Sequence, residues 1–186
     1  MQEITRQRLP DNEKNDALNA AFDLLNARLP SPDWDEKGWQ LWEQLAPHCR
    51  ALLDHLSGHV LEPKAVRIMN QYGIWLQNRG QYTNAEPIFQ RALAIRRKVL
   101  GKEHPDTLTS MNNLAQTLYA QGDLAGARTL EEQVLEARAR LLGKEHPDTL
   151  NSMLNLAQTL YAQGDLAGAR TLQKQVVRIL AEFRTH

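Results

Sequence analysis

Residues 100–130 read LGKEHPDTLTSMNNLAQTLYAQGDLAGARTL, and residues 142–172 read LGKEHPDTLNSMLNLAQTLYAQGDLAGARTL. Of these 31 aligned positions only two differ, Thr109 against Asn151 and Asn112 against Leu154. From Leu100 to Leu142 the register is 42 residues, and a fixed period between about 20 and 50 marks a stacked repeat array. A further shift of 42 finds a diverged third copy. There Met69, Asn70, Gly73, Leu76, Gly80, Ala85, Ile88 and Leu93 fall under Met111, Asn112, Ala115, Leu118, Gly122, Ala127, Leu130 and Leu135.

Each copy reads as two helices. Apolar residues in Asn113–Ala120 recur at spacings of three and four, not two. The first helix of each copy (helix A) is expected over about 62–79, 105–121 and 147–163. The second (helix B) is expected over about 82–98, 124–140 and 166–183. Gly80, Gly122 and Gly164 sit in the A-to-B turns, where a left-handed residue ends the helix. Asp123 and Asp165 follow in position to cap helix B. Pro105 and Pro147 fit the first turn of helix A, and Asp106 and Asp148 favour its positive dipole end. Small residues at fixed places (Gly73, Ala115 and Ala157 on helix A; Ala85, Ala127 and Ala169 on helix B) let the paired helices approach closely. Gly126 and Gly168 weaken the start of helix B by about 1 kcal/mol relative to alanine.

Upstream, Leu18, Ala21, Phe22, Leu24 and Leu25 predict a helix over about 12–28, stopped by Leu29-Pro30-Ser31-Pro32-Asp33. Trp39, Trp42, Leu45, Leu52, Leu53 and Leu56 predict another over about 35–56, with Pro47 expected to kink or split it. The organisation expected is a polar segment 1–11, a degenerate leading helix pair 12–58, and three units over about 59–100, 101–142 and 143–186. The fold class is all-α, with about eight antiparallel helices.

The 186 residues carry 22 basic and 22 acidic side chains, so no net field draws the chain toward nucleic acid or a membrane surface. One cysteine, Cys49, excludes an internal disulfide and suits a reducing compartment, hence an expected cytoplasmic location. No apolar run approaches the ~20 residues that span a bilayer, and MQEITRQRLPDNEKND lacks a signal-peptide core. No Walker-type loop, HExxH helix, GxSxG turn or zinc-site spacing occurs, so neither catalysis nor a cofactor or metal is expected. Arg96-Arg97-Lys98, with Arg138 and Arg140 in the matching place, reads as cations at the negative end of helix B rather than a nucleic-acid face.

The pattern resembles the tetratricopeptide repeat (TPR), in the 42-residue form of kinesin light chains. Met111, Leu114, Ala115, Gly122 and Ala127, repeated at Met153, Leu156, Ala157, Gly164 and Ala169, occupy the family's slots, and the GKEHPDTL linker looks like the light-chain type. Glu131 and Gln173 depart from the usual aromatic, which is present as Phe89. HEAT repeats share the length range but lack the glycine turn. His104-Pro105-Asp106 spells the J-domain tripeptide, yet it recurs with the repeat at a helix start and reads as structural. A weaker resemblance links MQEITRQRL, Trp39, Trp42 and Leu45–His48 to the segment before the TPR array of bacterial STAND-type (NB-ARC) signalling ATPases.

The family resemblance implies a right-handed superhelix whose A helices line a concave groove that binds a peptide or protein. The groove positions it implies are Arg67, Asn70, Gln71, Ile74 and Gln77, then Thr109, Asn112, Asn113, Gln116 and Tyr119, then Asn151, Leu154, Asn155, Gln158 and Tyr161. Carboxamides dominate, and each can both donate to and accept from a peptide backbone. Both differences within the near-duplicate fall on this set, and Leu154 interrupts the amide row as an apolar subsite. Arg67 is its one formal cation, which disfavours a clamp for acidic chain ends. The competing expectation is a structural unit that self-associates through its last repeat, whose outer face lacks a polar cap.

Overall fold

The computed structural model describes residues 11–29, 36–56 and 62–182. Among these residues the chain forms eight α-helices: α1 (Asp11–Arg28), α2 (Glu36–His55), α3 (Val66–Asn78), α4 (Tyr82–Leu100), α5 (Pro105–Gln121), α6 (Leu124–Leu142), α7 (Pro147–Ala162) and α8 (Leu166–Glu182). A short 3-10 turn (Glu62–Ala65) precedes α3. They pack as sequential antiparallel pairs. The helix A and B bounds agree with the expected ones to within a few residues, except that 62–65 is 3-10 rather than α. Most of the polar segment 1–11 and the Pro30–Asp33 stop lie outside the described residues.

The chain divides into two compact units, residues 1–72 and 73–186. In the first, α1 packs on α2. Its core gathers Leu25, Trp42, Cys49, Leu53, Leu56, Ile68 and Met69. Pro47 does not split α2, which runs on through it; its side chain is exposed, so the ring meets solvent rather than core. Burial pushes the Cys49 thiol up to about 12, against a smaller lowering by a backbone hydrogen bond. The reactive thiolate is therefore suppressed at neutral pH.

In the second unit α4 packs on α5, α5 on α6, α6 on α7 and α7 on α8. Apolar residues three and four apart face these contacts, as Leu150, Met153, Leu156 and Leu160 do on α7. The small-residue crossings are tight. Ala85, Ala115 and Ala127 are fully buried, and a Cβ at Gly73 would lie 2.6 Å from Cζ of Phe89. Phe89 is fully buried, and burying such a ring contributes about 1.5–3 kcal/mol. The ring fits because position 73 is glycine. In the next copy alanine stands at 115 and Glu131, not an aromatic, stands in Phe89's slot.

The turns between A and B share one hydrogen-bond pattern. At Gly122 (φ 88°) the amide donates to Tyr119 O at 3.0 Å, and the Asp123 amide donates to Leu118 O at 2.9 Å. That positive φ is strained for any residue with a Cβ. Asp123 Oδ1 then accepts from the Gly126 amide at 2.9 Å, and Asp165 does the same for Gly168. A Cβ at Gly168 would lie 2.6 Å from Oδ2 of Asp165. These glycines therefore leave room for the capping carboxylate, a role that helix propensity alone does not reveal. At the start of α5, His104 Nδ1 accepts from the Asp106 amide at 3.2 Å, with Pro105 in the first turn. The His-Pro-Asp tripeptide is a cap in both copies.

Arg96 and Arg138 do more than balance a helix dipole. Arg96 Nη1 donates to Asp106 O at 2.8 Å and Ser110 Oγ at 2.7 Å, and Arg138 Nη1 donates to Asp148 O at 3.1 Å and Ser152 Oγ at 2.9 Å. Each guanidinium ties its B helix to the next A helix. Burial lowers the pKa of both, with Asp106 and Asp148 opposing.

Candidate functional site

Helices α3, α5 and α7 carry the residues that the sequence assigns to a groove. In the first unit, Arg67 is exposed and its Nη1 reaches Asn26 Oδ1 at 3.4 Å. Gln71 is half-buried, with Oε1 shielded from solvent. Asn70 is only 8 % exposed, so it offers little surface to a ligand. A polar residue at a groove register position is thus taken into the packing there.

In the second unit the amides divide into two groups. One group joins neighbouring A helices. Gln77 Nε2 donates to Asn113 O at 3.1 Å and to Thr117 Oγ1 at 2.7 Å, tying α3 to α5. Asn155 Nδ2 donates to Asn112 Oδ1 at 2.9 Å, tying α7 to α5. Ile74, Asn113 and Tyr119 are half-buried beside them.

The other group faces solvent. Gln116 on α5 and Asn151, Leu154, Gln158 and Tyr161 on α7 are exposed, Leu154 at 45 % and Tyr161 at 66 %. Thr109 is exposed too, although its hydroxyl donates back to Pro105 O at 3.0 Å. Spaced three and four apart, these side chains share one stripe on each helix. The stripe is uncharged and mixes carboxamides with an aliphatic and an aromatic group. It can donate to and accept from a peptide backbone and cover apolar side chains.

A separate cleft of about 290 Å³ lies on the α6 side, lined by Arg97, Lys102, Leu108, Met111, Glu136 and Arg140 among others. It includes none of the groove residues, and the Arg140 guanidinium is held there by Glu103. Sequence reasoning did not single it out, because its lining is drawn from a helix end, a linker and two helices. Among the described residues no group of three His, Cys, Asp or Glu could hold a metal, and no helix is long and apolar enough to cross a membrane.

The profile described as tetratricopeptide repeat matches residues 65–140 and 127–182. A search of curated proteins finds no match. Among solved structures, a Podosopora anserina protein described as kinesin light chain, with nearly identical TPR-like repeats, superposes with a TM-score of 0.70 at 23% identity, covering 94% of this chain and 92% of that one. BtubC (BKLC) from P. vanneervenii gives 0.69 at 19% identity, over 94% of this chain and 78% of that one. MamA gives 0.54 at 13%, over 100% and 99%. At such identities the likeness is one of fold. The profile and the paired helices together show that this chain belongs to the tetratricopeptide repeat family, with a structure close to kinesin-light-chain-like repeats.

Proposed function

We propose that the exposed stripe on α5 and α7 binds an extended peptide or protein segment of mixed character. TPR domains generally serve as protein–protein interaction modules and are typically non-catalytic. The observation that carries the finer reading is the division of labour among the amides. Asn112, Asn155 and Gln77 tie helices together, while Gln116, Gln158, Leu154 and Tyr161 stay at the surface. With a single cation, Arg67, in the whole set, selection of an acidic chain end is disfavoured. Fluorescence titration of a peptide library against Gln116→Ala/Gln158→Ala and Tyr161→Ala tests it. Weakening is expected, and unchanged binding contradicts it.

The larger context we propose is the sensor part of a STAND-type signalling ATPase. Its support is the resemblance around Trp39, Trp42 and Leu45–His48; MQEITRQRL lies outside the described residues. Co-purification with an NB-ARC ATPase from the source cell tests that placement. A second reading, association of copies through the last repeat, is favoured by one observation: Leu166, Val177 and Leu180 on α8 are exposed.

A further inference from the structure

The α8 outer face differs from its counterparts on α4 and α6 in its charge and in the tie it lacks. On α4 and α6, Arg96 and Arg138 reach the next A helix. The matching residue on α8 is Leu180, which cannot make that tie. The identity between the two copies also ends at Leu130 and Leu172, and the next residues change charge. Glu131, Glu132 and Glu136 of α6 become Gln173, Lys174 and Arg178. Where Arg128 pairs with Glu132 at 2.7 Å, Arg170 instead has Lys174 one turn on. The result is a shallow trough of about 580 Å³ bounded by Arg170, Gln173, Lys174, Val177, Arg178 and Ala181. Within it Arg178 has one acidic neighbour, Glu182 at 3.7 Å. This face therefore lacks both the arginine tie and the acidic residues that α6 carries at the same positions.

A face of opposite character lies on α1. Its exposed residues Glu13, Asp16, Ala17, Ala20, Asp23, Leu24 and Ala27 fall on one side of the helix at 100° per residue, opposite the buried Leu25 and Leu29, with the exposed Arg28 at the edge of that side. Asp16 and Asp23 run beside a strip of small and aliphatic side chains, and Glu13 stands at its N-terminal end. From Glu13 to Asp23 they extend about 15 Å along the axis, and Arg170 to Arg178 extend about 12 Å at 1.5 Å per residue. An α8 face against a second α8 face would set like charges together, which is unfavourable.

We infer that α8 of one copy docks on α1 of a second copy, cations against carboxylates around an apolar strip. This deepens the self-association reading and is independent of the peptide stripe. Because the two patches differ, the contact pairs unlike faces, and two copies can make it reciprocally or a chain of copies can repeat it. Single helix faces bury less than the ~800 Å² per partner of a stable interface, so the association is weak and salt-sensitive.

Sedimentation velocity on the full chain tests it without an outside ligand. The wild-type weight-average mass is expected to rise above that of the monomer as protein approaches about 1 mM at about 20 mM salt, and to fall back at about 500 mM salt. The variant Arg170→Glu/Lys174→Glu/Arg178→Glu has two acidic faces, and Glu13→Lys/Asp16→Lys/Asp23→Lys has two basic ones. Each alone should stay monomeric with unchanged helical circular dichroism, and an equimolar mixture should regain the mass increase. Wild type that is monomeric throughout overturns both the inference and the self-association reading. Wild type that assembles while the mixture does not regain assembly overturns this pairing alone. Should either variant fail to fold, loss of wild-type assembly at high salt supports the charge pairing, and salt-indifferent assembly overturns it.

Discussion

Asn155 on α7 donates from Nδ2 to Oδ1 of Asn112 on α5, 2.9 Å away, across two neighbouring repeats. The two residues are 43 apart, one more than the repeat period. The bond therefore joins a residue of one copy to the counterpart of its chain neighbour. The same register would let residue 154 accept from a following unit if it were asparagine, but it is Leu154, exposed to solvent. Truncating either amide removes a half-buried hydrogen bond whose net contribution is about 0.5–1.5 kcal/mol. A double-mutant cycle of Asn112→Ala and Asn155→Ala by urea denaturation should show coupling of about that size. Strict additivity would mean the bond contributes nothing.

Gly73 and Phe89 form a tight crossing. With a Cβ at 73 placed 2.6 Å from the ring, Gly73→Ala forces Phe89 out of position. Overpacking of this kind costs about 1–3 kcal/mol. Thermal denaturation should show the loss for Gly73→Ala and partial recovery in Gly73→Ala/Phe89→Leu, since the smaller side chain makes room. A lone Gly73→Ala as stable as wild type would show that the ring relaxes freely.

Glu131 is buried on α6 at the slot where Phe89 sits one copy earlier. Burial raises its carboxyl pKa above the usual range, with the Thr159 hydroxyl opposing. That hydroxyl is nearby without satisfying the carboxylate, because neither Thr159 Oγ1 nor Glu131 Oε2 has a partner at hydrogen-bond geometry. The folded state therefore prefers the neutral acid. Stability from this site is full below the unfolded carboxylate range and is lost as pH rises through the raised folded value. Glu131→Gln, which imitates the neutral acid and matches Gln173, should stabilise the chain progressively more from pH 4 to pH 8. A difference that does not change with pH would contradict a buried, proton-linked carboxyl.

Arg138 holds α7 through Asp148 O and Ser152 Oγ. Arg138→Ala should cost about 1.5–3 kcal/mol, the range for hydrogen bonds to a charged group. Amide exchange should accelerate in α7 and α8 before α5. Uniform acceleration along the second unit would show that the tie is not local.

Much of the fold is legible in the sequence, because the signals that set it are local. Glycine at 122 and 164, aspartate at 123 and 165, and proline at 105 and 147 fix where helices stop and start. Alanine at 85, 127 and 169 fixes where they cross. What a side chain does between repeats is not local. Gln77, Asn112 and Gln116 look alike in sequence, yet the first two bond to a neighbouring helix and the third faces solvent. Asn70 shares the register of Asn112 but is buried. Arg96 was legible only as a cation at a helix end, because its acceptors lie 10 and 14 residues ahead on another helix. The necessity of Gly126 and Gly168 likewise shows only once the capping carboxylate has a position.

The peptide stripe is tested most directly by affinity measured on a library-selected peptide, comparing Tyr161→Ala and Gln158→Ala with Arg178→Ala on the far helix. Removing Tyr161, exposed at 66 %, should weaken binding about five- to thirtyfold, in line with roughly 1–2 kcal/mol for an aromatic anchor. Arg178→Ala should leave binding unchanged. Equal affinity for all three variants and wild type would show that the ligand binds elsewhere on the chain.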